Sequence, residues 1–387
     1  MTVEGAMGFM TAGHVYNAAI MSTLGYSASE VGKFMSIVSI INMFAPLFWG
    51  FVSDKTRSVK KTMSTTVLLS IIIYAPLFLY AKINIGGKSI APYVILLSSL
   101  VVGASGQLLT SWVMESRREH PSINFGVVRL FWSLLYAVAC FGYATFMKKF
   151  EGMAMYTIPL VGFGISGLVT LFFIKVSPGR DAEGAKKQSL KDMPIGDIIK
   201  NPRILVYLSF SIFITVPTLG LNNFMQYLLA DVNGSKAILG YMVGIRSLCA
   251  IPFMFFSDKI HKKIGTRNAM SLAAVLYGIA QILFMLAQNT FQIISICIFQ
   301  GIAFGLLVPT QVLYINQYAP AGLIATTQTM VTVANSLSQS LFSTIGGNVV
   351  ESMGIRTFYA MSAVACVISF TLFNVGNKVL DKTRGVD

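Results

Sequence analysis

The sequence predicts an all-α membrane protein of twelve transmembrane helices, arranged in two related halves of six. The 387-residue chain is 55% hydrophobic and 11% charged, with a mean hydropathy of +0.69. A soluble chain of this length does not tolerate so little charge on its surface. Its apolar residues fall into twelve runs near the length of about 20 residues that a bilayer requires. One distinctive turn also occurs twice, about half a chain apart.

The twelve apolar runs, called spans 1 to 12 in chain order, define the predicted organisation. They cover residues 1–24, 30–53, 62–82, 90–114, 123–147, 153–176, 204–229, 237–257, 268–287, 291–316, 322–351 and 354–378. The longest polar stretch between them, 177–203, carries six basic residues and resembles a linker. We therefore expect an N-terminal six-helix bundle at 1–176, a cytoplasmic linker at 177–203, and a C-terminal six-helix bundle with a short cytoplasmic tail at 204–387.

Two copies of one turn end spans 2 and 8. In each copy an apolar run with a proline and aromatic residues stops at Ser-Asp-Lys, and a short basic turn leads to a new apolar run. This is the pattern of a helix that leaves the bilayer, turns beside the head groups and re-enters. The carboxylate can hold a basic group or a helix N-terminus in one conformation and release it in another. We therefore predict gating roles for Asp54, Lys55, Asp258, Lys259 and Arg267.

The net charge of +14 is distributed in a way that predicts topology rather than nucleic-acid binding. The basic residues lie in short turns between apolar runs, not on one amphipathic face. The turns after spans 2, 4 and 8, the linker and the tail hold most of them, and the alternate turns hold few. The positive-inside bias then places both termini and the linker in the cytoplasm. We expect a multi-pass protein of a plasma membrane or a bacterial inner membrane.

Two arginines lie inside apolar spans, Arg129 in span 5 and Arg246 in span 8. An ionisable side chain at bilayer depth is costly unless it is paired or hydrated, so it points to a solute pathway. Trp132 and Tyr136 share a helix face with Arg129, and an arginine above aromatic rings can bind hydroxyl, carboxylate or phosphate groups. The alternative is a structural ion pair between Arg129 and Glu115. No mid-span carboxylate lies in the half that holds Arg246, which favours a cavity position and a solute with negative charge.

Other polar side chains inside the spans are candidates for solute or proton binding. His14 and Asn17 share a face of span 1, where an imidazole can bind a proton near neutral pH; a polar packing contact is the alternative. Glu4 and Glu115 are the candidate proton-coupling carboxylates, although Glu4 can equally lie at the cytoplasmic rim. A polar stripe on span 11 either lines a hydrated cavity or bonds a neighbouring helix. The remaining predicted solute-binding residues are Asn222 and Gln226 in span 7, Gln311 in span 10, and Gln328 and Asn335 in span 11.

Short motifs in spans 2, 5 and 11 resemble those of a transporter family. The turn Gly50-x-x-x-Asp54-Lys55 is similar to the signature between the second and third helices of the major facilitator superfamily, with Arg57 where that pattern usually has glycine. Three motifs resemble the oligosaccharide:proton symporter branch, which includes lactose permease. They are Ser53-Asp54-Lys55, Phe125-Gly126-x-x-Arg129 and Gly347-Asn348-x-x-Glu351-Ser352-x-Gly354. The resemblance implies the major facilitator fold and proton symport of a small polar solute such as a sugar or nucleoside.

The resemblance also assigns residue roles. In that branch the arginine at the position of Arg129 binds substrate together with an acidic residue of the fourth helix. Here the acidic position falls on or near Ser111, and the nearest carboxylate is Glu115, one turn further on. The ionisable residues of the branch's eighth and tenth helices are not reproduced. Arg246 stands beside the expected acidic place in span 8, and span 10 offers amides such as Gln311.

The sequence contains no motif of an enzyme or of a pump driven by ATP. Gly162-x-Gly164-x-x-Gly167 lies inside an apolar span without a preceding strand, so close helix packing is favoured over nucleotide binding. Metal-ligand clusters and Ser/His/Asp sets are absent from the sequence, and the four cysteines lie unpaired in apolar runs. We therefore predict a secondary active transporter without cofactor or metal, working as a monomer. The alternatives are an organic-anion transporter and a sensor that keeps the fold without transport.

Overall fold

The computed structural model describes residues 8, 11–119, 125–150, 152–173, 195–320 and 323–383. Within these ranges, the side chains of residues 114, 115, 117–119, 125–130, 163, 195, 197 and 325 lie outside the description. Helix is present in each of the twelve predicted spans, which confirms the all-α prediction apart from one small hairpin.

The first half contains spans 1 to 6. Their helices are a 3-10 turn Gly13–Tyr16 followed by Asn17–Thr23 (span 1), Ala28–Thr56 (span 2), Val59–Tyr74 and Leu77–Tyr80 (span 3), Ala91–Val102 and Ser105–Glu119 (span 4), Phe125–Met147 (span 5) and Ala154–Phe173 (span 6). Between spans 3 and 4, the strands Asn84–Ile85 and Lys88–Ser89 pair antiparallel as a hairpin.

The second half contains spans 7 to 12. Their helices are Pro202–Ile214, Val216–Leu219, a π-helical segment Gly220–Phe224 and Met225–Asp231 (span 7), Ile238–Phe255 (span 8), Thr266–Leu286 (span 9), Thr290–Tyr318 (span 10), Ile324–Met353 (span 11) and Ile355–Thr383 (span 12). Two short helices lie outside the spans, Ile195–Ile199 before span 7 and Ser257–Ile264 between spans 8 and 9.

Nine of the described helices are long and apolar enough to cross a membrane, and they belong to spans 2, 3, 4, 6, 7, 8, 9, 10 and 12. In span 5 the described apolar stretch is Phe131–Met147, which is shorter. Span 11 has 30 helical residues but carries the predicted polar stripe. These observations are consistent with the predicted count of twelve.

The connections between successive spans fall alternately at two ends of the bundle. We call the end that holds residues 57–58, 256–265, 319–320 and 323 the basic end. The opposite end holds residues 24–27, 81–90, 148–150 and 232–237, and we call it the sealed end because the two halves meet there.

One large hydrophobic cluster joins both halves at the sealed end. Its buried side chains include Tyr16, Tyr143, Phe224, Leu239 and Phe358. Toward the basic end each half has its own buried cluster. The cluster of the first half includes Trp49, Met63 and Trp112, and the larger cluster of the second half includes Tyr207, Tyr314 and Phe373. Within the described residues, the two halves therefore share a core at the sealed end and have separate cores at the basic end.

Glycines let the two halves approach closely at this shared core. Span 2 packs against span 11, and span 5 packs against span 8. A Cβ on Gly240 would lie 2.4 Å from the carbonyl oxygen of Cys140, and a Cβ on Gly244 would lie 3.0 Å from the ring of Phe141. Backbones that come this close leave no room for a side chain, so small residues are required at the contact.

Candidate functional site

The first span of each half is interrupted near its middle. Span 1 contains the 3-10 turn Gly13–Tyr16, and span 7 contains the π-helical segment Gly220–Phe224. Pro217 precedes the π-helical segment and weakens the helix there, because proline lacks the backbone N–H that a helix interior uses. Interrupted helices often mark functional positions, and in transporters they lie beside the solute site. The predicted polar residues of spans 1 and 7 lie at these two interruptions.

The predicted pair in span 1 belongs to a hydrogen-bonded network within the first half. A hydrogen bond of 3.1 Å joins His14 Nδ1 and the Tyr74 hydroxyl. That hydroxyl donates to Asn17 Oδ1 at 3.3 Å and accepts from Ser98 Oγ at 2.6 Å. Tyr74 and Ser98 are fully buried, whereas His14 is half-buried. The structure thus brings His14 and Asn17 together and adds Tyr74 and Ser98, which gave no signal in the sequence because each is a single polar residue in an apolar run.

The aromatic pair predicted in span 5 is present. The rings of Trp132 and Tyr136 are stacked, with centroids 5.2 Å apart and an interplanar angle of 9°. Span 1 packs directly against this pair, since a Cβ on Gly8 would lie 3.0 Å from the carbonyl oxygen of Trp132. The side chains of Arg129 and Glu115 lie outside the described residues, and so does Glu4. The choice between a solute-binding Arg129 and an Arg129–Glu115 ion pair therefore stays a prediction.

Arg246 in span 8 is half-buried beside aromatic rings. Its guanidinium carbon lies 4.8 Å from the centroid of Phe304, and Nε is buried without a hydrogen-bond partner among the described residues. Arg246 also lies close enough to interact electrostatically with Tyr136 of the opposite half and with Tyr277. In the described part of the chain its guanidinium forms no ion pair. An arginine of this kind needs polar partners at bilayer depth, which fits the predicted solute-binding role.

In span 7 the two predicted residues have different surroundings. Asn222 is exposed. Gln226 is 2% exposed, and its Nε2 donates to the carbonyl oxygen of Asn223 at 2.7 Å, so it bonds its own helix. The sequence reasoning missed Asn223, whose Nδ2 donates to Ser343 Oγ of span 11 at 2.9 Å. The interruption of span 7 therefore exposes the amide of Asn222 and connects spans 7 and 11 through the amide of Asn223.

The polar stripe of span 11 lies on a partly exposed face. Gln328, Asn335 and Gln339 are half-buried, and Thr332 is exposed. Ser338 lies on another face and is buried, with its Oγ 2.7 Å from Thr215 Oγ1. Thr332 donates to its own helix, and Asn335 Oδ1 has no hydrogen-bond partner among the described residues. Gln311 of span 10 is also half-buried. These amides therefore lie on faces that the packing of the described residues leaves partly open.

Two further buried amides were missed by the sequence reasoning. Gln281 and Gln300 are fully buried and lie against the interruption of span 7. Gln300 Nε2 donates to the carbonyl oxygen of Pro217 at 3.2 Å, and a Cβ on Gly220 would lie 3.5 Å from Gln281 Oε1. Single glutamines in apolar runs give no periodic pattern, so only packing reveals that both lie against this segment.

At the first Asp-Lys turn, the predicted gating residues Asp54 and Lys55 are exposed. The helix of span 2 ends there at Arg57, which has a left-handed backbone with φ 48° and ψ 28°. Glycine adopts this conformation most easily. This geometry explains why the superfamily signature usually has glycine where this chain has Arg57.

At the second turn, Asp258 and Lys259 are exposed and lie in the short helix after span 8. Arg267 has partners elsewhere. Its Nη1 donates to Asp381 Oδ2 at 2.6 Å and its Nη2 to the Tyr318 hydroxyl at 3.0 Å. The predicted gating residue Arg267 thus joins spans 9, 10 and 12 of the second half in this conformation.

Hydrogen bonds across the two halves gather at the sealed end. The Glu351 carboxylate of span 11 accepts from Ser27 Oγ at 2.6 Å and from the backbone N–H of Ser29 at 2.8 Å, at the start of span 2. Ser29 Oγ donates to Asn348 Oδ1 at 2.5 Å. A carboxylate at a helix N-terminus satisfies a free N–H and complements the helix dipole. The second half therefore caps the start of span 2.

The start of span 8 is capped from the first half in the same way. The Tyr16 hydroxyl accepts from the backbone N–H of Gly240 at 2.8 Å and donates to the carbonyl oxygen of Ala237 at 3.2 Å. The ring of Tyr16 stacks on Tyr143 with centroids 4.6 Å apart. Span 2 is the second helix of the first half, and span 8 is the second helix of the second half. Each half therefore caps the second helix of the other half.

Comparison with known proteins places these features in a family. The model of the MFS_1 like family matches residues 9–361. The uncharacterized transporter YwbF of Bacillus subtilis is 24% identical over 357 residues, which cover 89% of this chain and 84% of that protein. Lactose permease of Citrobacter freundii is 22% identical over 364 residues, covering 90% of this chain and 86% of that protein. A solved structure of the nucleoside transporter NupG, in a mutant form, has a TM-score of 0.80 at 17% identity and covers 97% of this chain and 98% of that chain.

These likenesses confirm the predicted resemblance to the major facilitator superfamily and its lactose permease-like branch. The fold is the one seen in NupG, because the structural match extends over nearly the whole of both chains. The family model extends over most of the sequence, and the chain belongs to the MFS_1-like family.

Proposed function

We propose that this chain is a secondary active transporter that carries a sugar or a nucleoside together with protons by alternating access. The observation that carries the proposal is the arrangement of the hydrophobic clusters: one shared core at the sealed end and separate cores at the basic end. Two bundles that meet at one end and separate at the other can rock around a site between them. An enzyme needs no such arrangement.

The positive-inside bias assigns the two ends to the two sides of the membrane. The basic end carries the Asp54 and Asp258 turns with their lysines, so it faces the cytoplasm together with both termini. The sealed end then faces outward, and the structure represents a conformation closed to the outside. The membrane is the plasma membrane or the inner membrane of a bacterium, and the unit that works is a monomer of two bundles, 1–176 and 204–387.

The polar residues predicted in spans 1, 7, 10 and 11 suit a neutral solute with several hydroxyl groups. Asn17, Asn222, Gln311, Gln328 and Asn335 supply amides, which both donate and accept hydrogen bonds. The stacked rings of Trp132 and Tyr136 add a flat apolar surface. Relatives whose names give a solute include a lactose permease and a nucleoside transporter. Both solutes combine a ring with hydroxyl groups.

A second candidate is an organic anion carrying a carboxylate or a phosphate. The observation that favours it is Arg246, which lies half-buried within span 8 and forms no ion pair with the described residues. A guanidinium binds carboxylate and phosphate oxygens in pairs of hydrogen bonds. An anionic solute would give this charge a partner.

Counterflow in proteoliposomes tests the proposal. Purified protein is reconstituted, vesicles are loaded with unlabelled lactose, maltose, uridine, malate or a sugar phosphate, and entry of the same labelled solute is measured at equal pH on both sides. We expect exchange of a sugar or nucleoside above the level of protein-free vesicles. Exchange of malate or the sugar phosphate alone would favour the anion transporter. Binding without exchange would favour a sensor with the same fold.

A further inference from the structure

His14 is the one acid–base group near neutral pH that the described part of the chain places in the middle of a span. It lies at the centre of predicted span 1, within the 3-10 turn Gly13–Tyr16. The described carboxylates all lie near helix ends or in connections. They are Glu30, Asp54, Asp231, Asp258, Glu351 and Asp381. The other described histidine, His261, lies at the basic end, where its Nε2 is 2.7 Å from Thr310 Oγ1.

The hydrogen bonds of Tyr74 determine which nitrogen of His14 carries a proton. The Tyr74 hydroxyl has one hydrogen, which it donates to Asn17 Oδ1. With that hydrogen on Asn17, the hydroxyl oxygen accepts from His14, and the tautomer that fits this arrangement carries the imidazole hydrogen on Nδ1. The other nitrogen, Nε2, then has the free lone pair. His14 as a whole is half-buried, and Nε2 lies across the ring from the Nδ1 that bonds Tyr74.

From this geometry we propose that His14 Nε2 binds the coupled proton and that Tyr74 is its positioning residue. The inference rests on the proposed function. Nε2 takes a proton from water on one side of the membrane and returns it to water on the other, so no other reactant is consumed. On protonation the Nδ1–H bond to Tyr74 becomes charge-assisted and stronger. Tyr74 thus supports both forms of the imidazole in one orientation.

The groups around this network leave the titration to His14 itself. Span 3 contributes Tyr74 and span 4 contributes Ser98. Span 5 contributes Tyr143, whose ring would lie 3.3 Å from a Cβ on Gly13, and Leu160 of span 6 lies beside it. In the described surroundings these are hydroxyl and apolar groups, which do not change charge near neutral pH. Burial among them disfavours the charged imidazolium, so this conformation, closed at the sealed end, suits the form that has released its proton.

The test uses His14→Gln, which keeps a polar side chain but cannot carry a proton at neutral pH. We expect counterflow at equal pH to persist, while uptake driven by an imposed pH gradient falls to the level of protein-free vesicles. His261→Gln is the matched control and should keep both activities. Loss of counterflow together with uptake in folded His14→Gln would make His14 a solute ligand and overturn the inference. Full pH-driven uptake by this variant would overturn it as well.

Tyr74→Phe tests the positioning role. We expect the pH dependence of uptake to shift, with counterflow retained, because Nδ1 loses its acceptor and the fixed tautomer is lost. An unchanged pH profile would show that Tyr74 has a packing role.

Two further results separate this inference from the proposed function. A wild-type protein that exchanges solute but ignores a pH gradient would contradict the proton role and leave transport intact. If no tested solute exchanges, the ring resonances of isotope-labelled His14 in vesicles still decide the matter. We expect them to shift as the pH is lowered and to do so at a different pH in Tyr74→Phe. Resonances that stay constant over the whole pH range in which the protein stays folded would overturn the inference.

Discussion

The backbones of Gly32 in span 2 and Gly347 in span 11 are in contact. A Cβ placed on Gly32 would lie 2.9 Å from Gly347 Cα and 2.4 Å from the carbonyl oxygen of Ser343. Within one turn, Glu351 caps the start of span 2 at Ser29. A close backbone contact between the two halves and a capping hydrogen bond between them therefore lie at the same end. Solute can pass through that end only when both contacts separate.

Gly32→Val should shift the protein toward a conformation open at the sealed end. Even a Cβ on residue 32 would lie less than 3.0 Å from backbone atoms of span 11, which is closer than real Cβ atoms come. The larger side chain of valine therefore cannot fit there. Spin labels at the outer ends of spans 2 and 11 should report a longer distance. Gly50→Val in the same helix is the control, because a Cβ there meets nothing within 4 Å. Equal distances in both variants would contradict a contact that holds the end closed.

Glu351→Gln should weaken the same closure without adding bulk. The substitution keeps an oxygen acceptor but removes the negative charge that the start of span 2 favours, and a charge at a helix N-terminus contributes about 0.3–1 kcal/mol. We expect a cysteine introduced at Ser36 to react faster with a water-soluble thiol reagent than in the wild-type background. Asp231→Asn is the control, because it removes an equally exposed carboxylate at that end, paired with Arg356 of its own half. A larger effect from Asp231→Asn would argue against the capping role.

Lys236 should make closure depend on pH. Its Nζ donates to Ser22 Oγ and Thr23 Oγ1, each at 2.9 Å, and burial lowers the pKa of its ammonium below the ordinary value of 10.5. When the end separates, water restores the ordinary pKa, so the separated form binds more protons. Rising pH between the lowered pKa and about 10.5 should therefore favour the closed form. The spin-label distance between the two halves measures this balance.

Lys236→Arg isolates that effect, because a guanidinium stays protonated throughout the same pH window. As the pH rises through this window, the distance between the two halves should shorten more in the wild type than in the variant. A difference of zero would mean that Lys236 does not distinguish the two conformations.

Arg57→Gly should stabilise the protein. Arg57 has φ 48° and ψ 28°, and a left-handed backbone costs a residue with a side chain about 1–2 kcal/mol relative to glycine. Thermal unfolding in detergent should therefore occur at a higher temperature. Lys55→Gly, two residues earlier and inside the helix, should have the opposite effect of about 0.5–1 kcal/mol. Destabilisation by both substitutions would show that the arginine side chain contributes more than its backbone costs.

The spans, their repeat and the Asp-Lys turns were predictable because they depend on composition and order along the chain. Contacts between spans were not. His14 and Asn17 gave a helical spacing, but their partner Tyr74 lies in another apolar run with nothing to distinguish it. Arg267 was expected to act at a gate, which stays a prediction. In this conformation it bonds Asp381, which is distant in sequence and meets it only when the second half packs. Gln226 was expected to face a solute and bonds its own helix, because the interruption of span 7 leaves a carbonyl oxygen within its reach.

Arg246→Gln should weaken or abolish solute exchange while the protein remains folded. The half-buried guanidinium has the Phe304 ring on one side and an unpartnered Nε, and a hydrogen bond to a charged group contributes about 1.5–3 kcal/mol. Loss of one such bond lowers the affinity for solute by at least about tenfold. Counterflow measured over a range of solute concentrations should therefore show a raised half-saturation concentration or no exchange. Lys149→Gln, which removes an exposed positive charge at the sealed end, is the control.

The charge of the solute decides how Arg246→Lys behaves. A neutral sugar or nucleoside needs hydrogen bonds of defined direction, which an ammonium supplies poorly in place of a planar guanidinium. An anion is attracted by either cation, so Arg246→Lys should then retain more exchange than Arg246→Gln. Equal loss in both variants would point to a neutral solute. Exchange at the wild-type level in both would remove Arg246 from the solute site and leave its position beside Phe304 as packing.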